Sequence, residues 1–541
     1  MSLEWTTMTV SNATTVPALL AEKAEQLAAH PAIVDGKVTI SYADLHARVR
    51  AVARGYLAQG IVPGDRLGLW APNRYEFILA MLGAQYIGIA VVPLNTRYTD
   101  HEAAEILARS RATGLVLADG FLGKSYSGSL RTAAADHGSD GTVLPGLPHL
   151  RTLITLDDDV QAPVISWAAF LADGALVDDQ RVTEAAAAVS QDDVMDVLFT
   201  SGTTGVPKGV LTAHRQTLAV ARAWALGADL VAEDRYAVVN PFFHGFGYKA
   251  GMIASLLAGA TIYPLAVFTT DALLELIQSA RITVLPGVPT IFTSLLDHPH
   301  LKDYDLTSLR FSIAGATAAP ATLFHDMVNV LGFSRVAQAY GLTECVVATM
   351  SRPGESLEHA AQTTGPAVAG TEIRVVDENG ADAGIDVDGE ILLRGDCVML
   401  GYFEDQAATD AVIDADGWFH TGDVGQLDEH GCLKVTDRIK DMYIVGGFNV
   451  YPAEVENALR RHPAVNESAV IGVDDPRLGT VGRAYVLLLS GVEPRPDGEE
   501  LEAFCRTQLA NFKVPREYVF VEDFPRNAPG KILKSALRAQ A

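Results

Sequence analysis

Two apolar runs set the first limit on what this chain can fold into. Phe77 to Leu94 reads FILAMLGAQYIGIAVVPL, and Met252 to Phe268 reads MIASLLAGATIYPLAVF. A bilayer span needs about 20 mostly apolar residues; each run is marginal in length and is interrupted by Gly, Pro or polar side chains. A buried helix that turns tightly into a buried strand accounts for both. The same order surrounds the first run: residues 43 to 60 and 73 to 88 predict helices, and Arg66–Trp70, Ala90–Pro93 and Gly114–Ala118 predict short apolar strands. Alternation of this kind argues for parallel α/β layers. It resumes from Leu198 to about Arg335. Between Glu372 and Leu433 the texture changes to short runs such as EIRVVD and GEILLRG, separated by ENG, ADG and EHG turns, which predicts a β-rich subdomain. A compact final region follows Arg438, with strand-like runs at Ala469–Val473 and Ala484–Leu489. The Gly/Ser-rich segment Asp119–Pro148 and the Ala-rich segment Thr183–Ser190 predict surface connections.

A chain of 541 residues has length for several domains. Its 66 acidic and 41 basic side chains leave a net charge of −25, which opposes broad binding to nucleic acid or to an anionic membrane, since both polyanions would be repelled. With 49% hydrophobic and 20% charged residues the composition is that of an ordinary globular protein rather than a disordered one. Cys345, Cys397, Cys432 and Cys505 are widely separated and lack metal-ligand spacing, so they read as reduced structural thiols. Met1 to Leu20 has Glu4 and no basic region ahead of an apolar core, so a cytoplasmic location is expected.

The most informative segment is Leu198 to Val210, LFTSGTTGVPKGV, just after an apolar strand. Gly202, Gly205 and Gly209 let the backbone approach an anion; Thr200, Ser201, Thr203 and Thr204 supply hydroxyl donors, and Lys208 adds a charge. The ligand that suits this set is a polyphosphate. It is not a Walker A loop, because Lys208 lies between Pro207 and Gly209 and no GK-Ser/Thr follows. A second cluster, QAYGLTECVVATM from Gln338, offers Tyr340 as a flat face for a purine, Thr343 as a hydroxyl and Glu344 as an oxygen ligand for Mg²⁺. Taken alone, each string could be an ordinary turn.

Their order along the chain is specific. Thr200–Lys208, NPFFHGFGY from Asn240, Gly315–Thr317, Tyr340–Glu344, TGD at Thr421–Asp423, DRIKDMYIVGGFNVYPAEVE from Asp437 and NAPGKILK from Asn527 form a series. It resembles the adenylate-forming superfamily of acyl-CoA synthetases, peptide-synthetase adenylation domains and beetle luciferases over nearly the whole chain. The resemblance implies an α/β fold: a large N-terminal domain of α/β layers plus a β-rich subdomain, followed by a small mobile α+β C-terminal domain. The domains would be 1–438, with the β-rich part about 350–438, and 439–541, with a hinge near Lys440. The implied reaction joins a carboxylic acid to AMP with release of pyrophosphate, after which a thiol displaces AMP. ATP, Mg²⁺ and coenzyme A are the implied co-substrates and cofactor, with no nucleic-acid partner and no integral membrane association; a homodimer is one option.

The family's roles carry over to this numbering. Thr200, Ser201, Gly202, Thr203, Thr204, Gly205 and Lys208 would cradle the β- and γ-phosphates. Gly315, Ala316 and Tyr340 would form the adenine slot, Thr317 and Gly341 would also bind ATP, and Thr343 would touch the α-phosphate. Glu344 and Thr200 would serve Mg²⁺, and Asp423 and Arg438 would hold the ribose. Lys531 would offset charge as the carboxylate attacks the α-phosphate. Rotation about Lys440 would exchange Lys531 for a coenzyme A site at Gly446, Gly447 and Lys513. His244 takes the place of the family's gate beside an acyl pocket of Phe243, Phe246, Gly247, Gly287, Val288 and Ile291. Lys249, beside that pocket, could meet a ketone or carboxylate, but a solvated surface ion pair is its ordinary reading. From Arg506 onward, seven basic side chains (Arg506, Lys513, Arg516, Arg526, Lys531, Lys534, Arg538) face three acidic ones, which predicts a basic patch for phosphates.

Within the superfamily the strings NPFFHGFGYKAG, TVLPGVPTIFTSLLDHP and DRIKDMYIVGGFNVYPAEVE most resemble actinobacterial fatty-acyl-CoA ligases of steroid degradation, whose acid is a hexahydroindanedione propanoate. A medium-chain fatty acid or an aryl acid is the alternative substrate. Other readings are a module that loads a carrier protein, an acyl-adenylate synthase that does not use coenzyme A, and a non-enzymatic binding relative; the last predicts damage at Lys531, Glu344 or Asp423, which are all intact.

Overall fold

A computed structural model describes residues 10–540 apart from 124, 129, 131–145, 158–162, 201–206, 315–320, 439–440, 442, 446–447, 451, 476–477, 510, 512 and 527–531. The chain divides into two compact units, Met1–Glu372 with Arg394–Gly417, and Ile373–Leu393 with Trp418–Ala541.

Both apolar runs fold as a buried helix followed by a buried strand. Tyr75–Gln85 is a helix whose apolar residues point inward all round, and Ala90–Pro93 is a strand buried at every position. In the second run a π-helical stretch, Phe246–Ile253, continues as the α-helix Ala254–Ala258 and stops at Gly259, whose φ of 82° is the left-handed cap that glycine adopts at least cost. The strand Thr261–Pro264 follows. Among the described residues, no helix is long and apolar enough to cross a membrane.

The first unit is built on an eight-stranded sheet ordered Gly401–Tyr402, Lys208–Ala213, Val194–Thr200, Ala90–Pro93, Arg66–Trp70, Gly114–Leu117, Thr152–Thr155, Ile165–Ser166. From Val194–Thr200 to the last strand every pairing is parallel, as helical crossovers require; the Val194–Thr200/Lys208–Ala213 pair is antiparallel. Trp70, Leu115, Leu153 and Val197 join its core, and Trp70 stacks on Tyr126 with ring centroids 4.1 Å apart. A second sheet contains Arg235–Val238, Thr261–Pro264, Pro31–Asp35 and Val38–Ser41, and Tyr236 bridges through Val284 to Phe311–Ile313. Contrary to the sequence expectation, Thr183–Ser190 is mostly helix. It ends the helix Asp179–Ala188, capped by the Asp178 carboxylate accepting the Gln180 N–H at 3.0 Å. Its alanines are the strongest helix formers, and propensity outweighed the loop-like small-residue composition.

The second unit holds a sheet ordered Thr371–Val376, Gly389–Gly395, Phe419–Leu427, Leu433–Arg438, and a five-stranded sheet around the long antiparallel pair Val465–Asp475 and Gly479–Leu488. Helices Pro452–Arg460 and Gly498–Gln508 supply Val455, Leu459, Leu501 and Cys505 to the core against the second sheet.

His214 ties the start of the first helix to the sheet. Fully buried, its Nδ1 accepts the Val16 N–H at 3.3 Å, and burial pushes its pKa down to about 4. The unfolded chain would bind this proton near the ordinary value of about 6.5. Stability should therefore be full above pH 6.5 and fall as pH drops toward about 4. Chemical denaturation across that window should show a shallower loss in His214→Gln than in the wild type.

Candidate active site

Strands Val194–Thr200 and Lys208–Ala213 form a hairpin whose closing pair is Thr200 opposite Lys208. The sequence-predicted polyphosphate loop is what this pair brackets; Ser201, Gly202, Thr203, Thr204 and Gly205 lie outside the described residues. Gly209 admits the hairpin's tight face: a Cβ there would sit 2.9 Å from Val197 Cγ1 and 3.1 Å from the Phe199 ring. The strand Gly401–Tyr402 pairs onto the outside of Lys208–Ala213, with Tyr402 opposite Val210, and the Phe403 N–H donates to the Gly209 carbonyl at 2.7 Å. Lys208 Nζ thereby lies 4.9 Å from the centroid of the Tyr402 ring, a cation–π seat.

YGLTE is the tip of another hairpin, Ala339–Leu342 with Cys345–Met350. Leu342 pairs with Cys345, and Thr343 and Glu344 are the two turn residues between them. The register slips at Gly341, where any Cβ would overlap the Val346 carbonyl. Tyr340, one residue earlier, is half-buried. The Met399 N–H donates to the Glu344 carbonyl at 2.8 Å, and the Tyr402 hydroxyl donates to Glu344 Oε1 at 2.8 Å. Burial and then the Glu344 charge raise the Tyr402 pKa, so the phenol keeps its proton and remains a donor. Among the described residues Glu344 Oε2 has no hydrogen-bond partner, and a half-buried carboxylate with one oxygen anchored and one open fits a hard divalent cation. Lys208 and Glu344, on different hairpins, meet on Tyr402, which the sequence reading missed. Gly315, Ala316 and Thr317 lie outside the described residues.

The NPFFHGFGY segment is held by Asn73. Its side-chain amide donates to the carbonyls of Val238 at 3.1 Å and Asn240 at 2.9 Å, and its oxygen accepts the Phe242 N–H at 2.7 Å. Asn240 in turn donates to the Pro286 carbonyl at 3.1 Å, which joins the segment to Gly287, Val288 and Ile291. A Cβ on Gly287 would press on Ile291 Cδ1 at 3.0 Å, and a Cβ on Gly247 would overlap the Asn240 and Pro241 carbonyls. Phe243 and Phe246 are half-buried, and Phe246 packs edge-on against Trp224 at 5.4 Å. His244 Nδ1 accepts the Phe246 N–H at 3.2 Å, which leaves the proton of the neutral ring on Nε2. Its side chain is open to solvent, yet surrounding protein lowers its pKa, a combination expected of a side chain on the wall of a recess.

Lys249 is not a surface charge. It is 1% exposed, pairs with Asp196 Oδ1 at 3.1 Å and donates to Thr212 Oγ1 at 2.7 Å. The helical turn after His244 points it into the interior, where burial lowers its pKa against the pull of Asp196.

In the second unit Asp423 is 4% exposed, in the strand Phe419–Leu427 and in register with Arg438 on the next strand. Thr421 Oγ1 accepts the Asp423 N–H at 3.0 Å and donates to the Ile391 carbonyl at 2.8 Å, and Gly422 between them takes φ 68°. Lys440, Gly446, Gly447 and Lys531 lie outside the described residues; Lys513 is half-buried. The basic tail is less of a patch than its composition predicts. Lys534 pairs with Glu456 at 2.8 Å, Arg538 with Asp441 at 2.6 Å, Arg506 with Glu502 at 2.5 Å, and Arg526 with Glu467. Three of these acids are distant in sequence, and Glu502 lies one helical turn before Arg506; together they neutralise these groups in place.

The AMP-binding enzyme family matches residues 20–403, and the AMP-binding enzyme C-terminal domain matches residues 454–531. The chain belongs to the AMP-binding enzyme family, and its class is the AMP-forming acyl-CoA synthetases. It is 48% identical over 97% of its length to the 3-[(3aS,4S,7aS)-7a-methyl-1,5-dioxo-octahydro-1H-inden-4-yl]propanoyl:CoA ligase of Rhodococcus jostii, covering 99% of that protein. The ligase of the same name from Mycobacterium tuberculosis is 46% identical, over 98% of this chain and 99% of its own. The crystal structure of ATP-bound MatB from Rhodopseudomonas palustris superposes with a TM-score of 0.80 at 29% identity, covering 97% of this chain and 98% of the other.

Asn73 holds the stretch from Val238 to Phe242 through three hydrogen bonds. Asn73→Ala removes the partner of one N–H and two carbonyls in a buried place. It should lower unfolding free energy by about 3 kcal/mol, read from urea denaturation.

Proposed function

We propose that the chain activates the propanoate side chain of a hexahydroindanedione as its acyl-adenylate and transfers it to coenzyme A, with the nucleotide handled by the residues around Tyr402. The observation that carries the site reading is the meeting of Lys208 and Glu344 on that one aromatic side chain. A phosphate chain laid across the Thr200/Lys208 hairpin would have a cation at one end and an anchored carboxylate at the other. Glu344, aided by Thr200, would hold Mg²⁺, which supplies charge neutralisation on the phosphates when bound. Tyr340 would face the adenine beside Gly315–Thr317, Thr343 would reach the α-phosphate, and Asp423 with Arg438 would hold the ribose.

Lys531 would bring its ammonium to the substrate carboxylate, where it stabilises charge that changes most in the transition state. In this reading the C-terminal domain begins at residue 439 and turns about Lys440. The turn withdraws Lys531 and presents Gly446, Gly447 and Lys513 to the pantetheine arm and phosphates of coenzyme A. His244 would offer its Nε2–H to the acid in a pocket made by Phe243, Phe246, Gly247, Gly287, Val288 and Ile291. The steroid-derived acid is favoured by the names of the two relatives at 48% and 46% identity. A cytoplasmic enzyme, alone or as a homodimer, completes the reading.

The test is AMP release from ATP with a panel of acids, with and without coenzyme A. The bicyclic dione propanoate should be turned over far faster than octanoate or benzoate, and the reverse ranking would overturn the substrate. Lys531→Ala should lose adenylate formation by at least about 100-fold while thioester formation from supplied acyl-adenylate survives. Tyr402→Phe keeps the ring under Lys208 but removes the donor to Glu344. It should raise the Mg²⁺ concentration for half-maximal rate by about tenfold, in a titration at saturating ATP.

A further inference from the structure

The ion pair between Lys249 and Asp196 belongs to a buried polar network for which the nucleotide and acyl roles above provide no use. Asp196, Thr217, Tyr248 and Gln85 are fully buried, and Lys249 and Thr212 nearly so. Both carboxylate oxygens of Asp196 are doubly engaged. Oδ1 accepts from Thr212 Oγ1 at 2.6 Å and faces Lys249 Nζ at 3.1 Å; Oδ2 accepts from Thr217 Oγ1 at 2.9 Å and from the Tyr248 hydroxyl at 3.3 Å. The Tyr248 oxygen in turn accepts from Gln85 Nε2 at 2.7 Å. An aspartate in the middle of the strand VMDVLFT and a lysine in an otherwise apolar helical stretch are both costly to bury, and a buried ion pair often stabilises a fold no better than apolar residues of the same volume. What it supplies instead is direction, since Asp196 is held from four side chains on three other elements.

The network connects two pieces of the site. Lys249 and Tyr248 lie on the π-helical stretch Phe246–Ile253, whose first residues Phe246 and Gly247 belong to the acyl wall, with His244 just ahead of it. Asp196 lies on the strand that ends at Thr200, and Thr212 on the strand that begins at Lys208. The wider π turn is rare and clusters at functional sites, and here it carries both network residues and acyl-wall residues. We propose that Asp196 and Lys249 are positioning residues: their pair holds the acyl wall at a set distance from the Thr200/Lys208 hairpin and so aligns the acid with the nucleotide in the first half-reaction. The inference rests on reading that hairpin as the phosphate cradle.

The test compares Asp196→Asn, Lys249→Met and the double variant D196N/K249M. Each single change unbalances a buried charge pair and should lower the unfolding temperature; the double removes both charges and should recover most of it. In the refolded double the rate of pyrophosphate release at saturating ATP and acid should stay at least about tenfold below wild type. ATP affinity by direct titration, and thioester formation from supplied acyl-adenylate, should stay within about threefold of wild type, a split that a purely structural role would not produce. A wild-type rate of pyrophosphate release in the stable double would overturn the proposal.

If the double does not regain its stability, Thr217→Val decides. It frees Asp196 Oδ2 from one donor without removing a charge, and should slow pyrophosphate release about threefold at unchanged ATP affinity; an unchanged rate overturns the proposal. Lys208→Ala separates the two layers of the argument. Wild-type ATP affinity and rate in that variant would sink the cradle reading itself, and the positioning role with it. An impaired Lys208→Ala beside a wild-type double would sink the positioning role alone.

Discussion

The eight-stranded sheet turns on one antiparallel addition to an otherwise parallel array. Parallel strands covered by helices leave little room for a hairpin, yet Val194–Thr200 reverses into Lys208–Ala213, and the short strand Gly401–Tyr402 adds to its outer edge. Backbone hydrogen bonding at that edge decides where Tyr402 stands. Once it stands there, its ring seats Lys208 and its hydroxyl donates to Glu344, so a cation and an anion distant in sequence share one support. Shifting the edge register by one residue would turn Tyr402 to the opposite face of the sheet and dissolve the arrangement.

Several polar groups in the interior fix a loop or a strand end to its neighbours. Asn73 satisfies one donor and two acceptors in the stretch from Val238 to Phe242. Asp234 accepts from Arg310 and from Thr283, joining neighbouring strand ends of the second sheet. Asp196 and Lys249 do the same between the hairpin and the π-helical stretch. Apolar packing gives most of the cohesion, through clusters such as that of Trp70, Leu115 and Leu153, but it is non-directional. Hydrogen-bonded groups supply the direction that a reaction between two bound molecules needs.

Much of this was legible in the chain. Tyr75–Gln85 and Ala90–Pro93 were readable because an apolar run with a Gly in its middle has few ways to be buried, and the YGLTE and TGD strings stood out because hydroxyls, glycines and carboxylates gather there at short range. Besides Tyr402, three expectations were overturned. Lys249 looked like a surface lysine because its partner Asp196 lies on another element, and nothing local marks a charge as buried. The Ala-rich Thr183–Ser190 looked like a connection because small residues suit loops and helices alike. The tail looked like a basic patch because its neutralising acids, Glu456, Asp441, Glu467 and Glu502, precede it in the chain, three of them by tens of residues.

The sequence by itself determined the family, the order of its elements and the identity of the chemical groups, since these depend on composition, short spacing and hydrophobic period. Only the tertiary structure decided which of those groups meet. Tyr402 between Lys208 and Glu344, Asn73 beneath the Val238–Phe242 stretch, and Asp196 against Lys249 are contacts between elements far apart in the chain. They arise from strand order and register, which are set by the packing of whole layers.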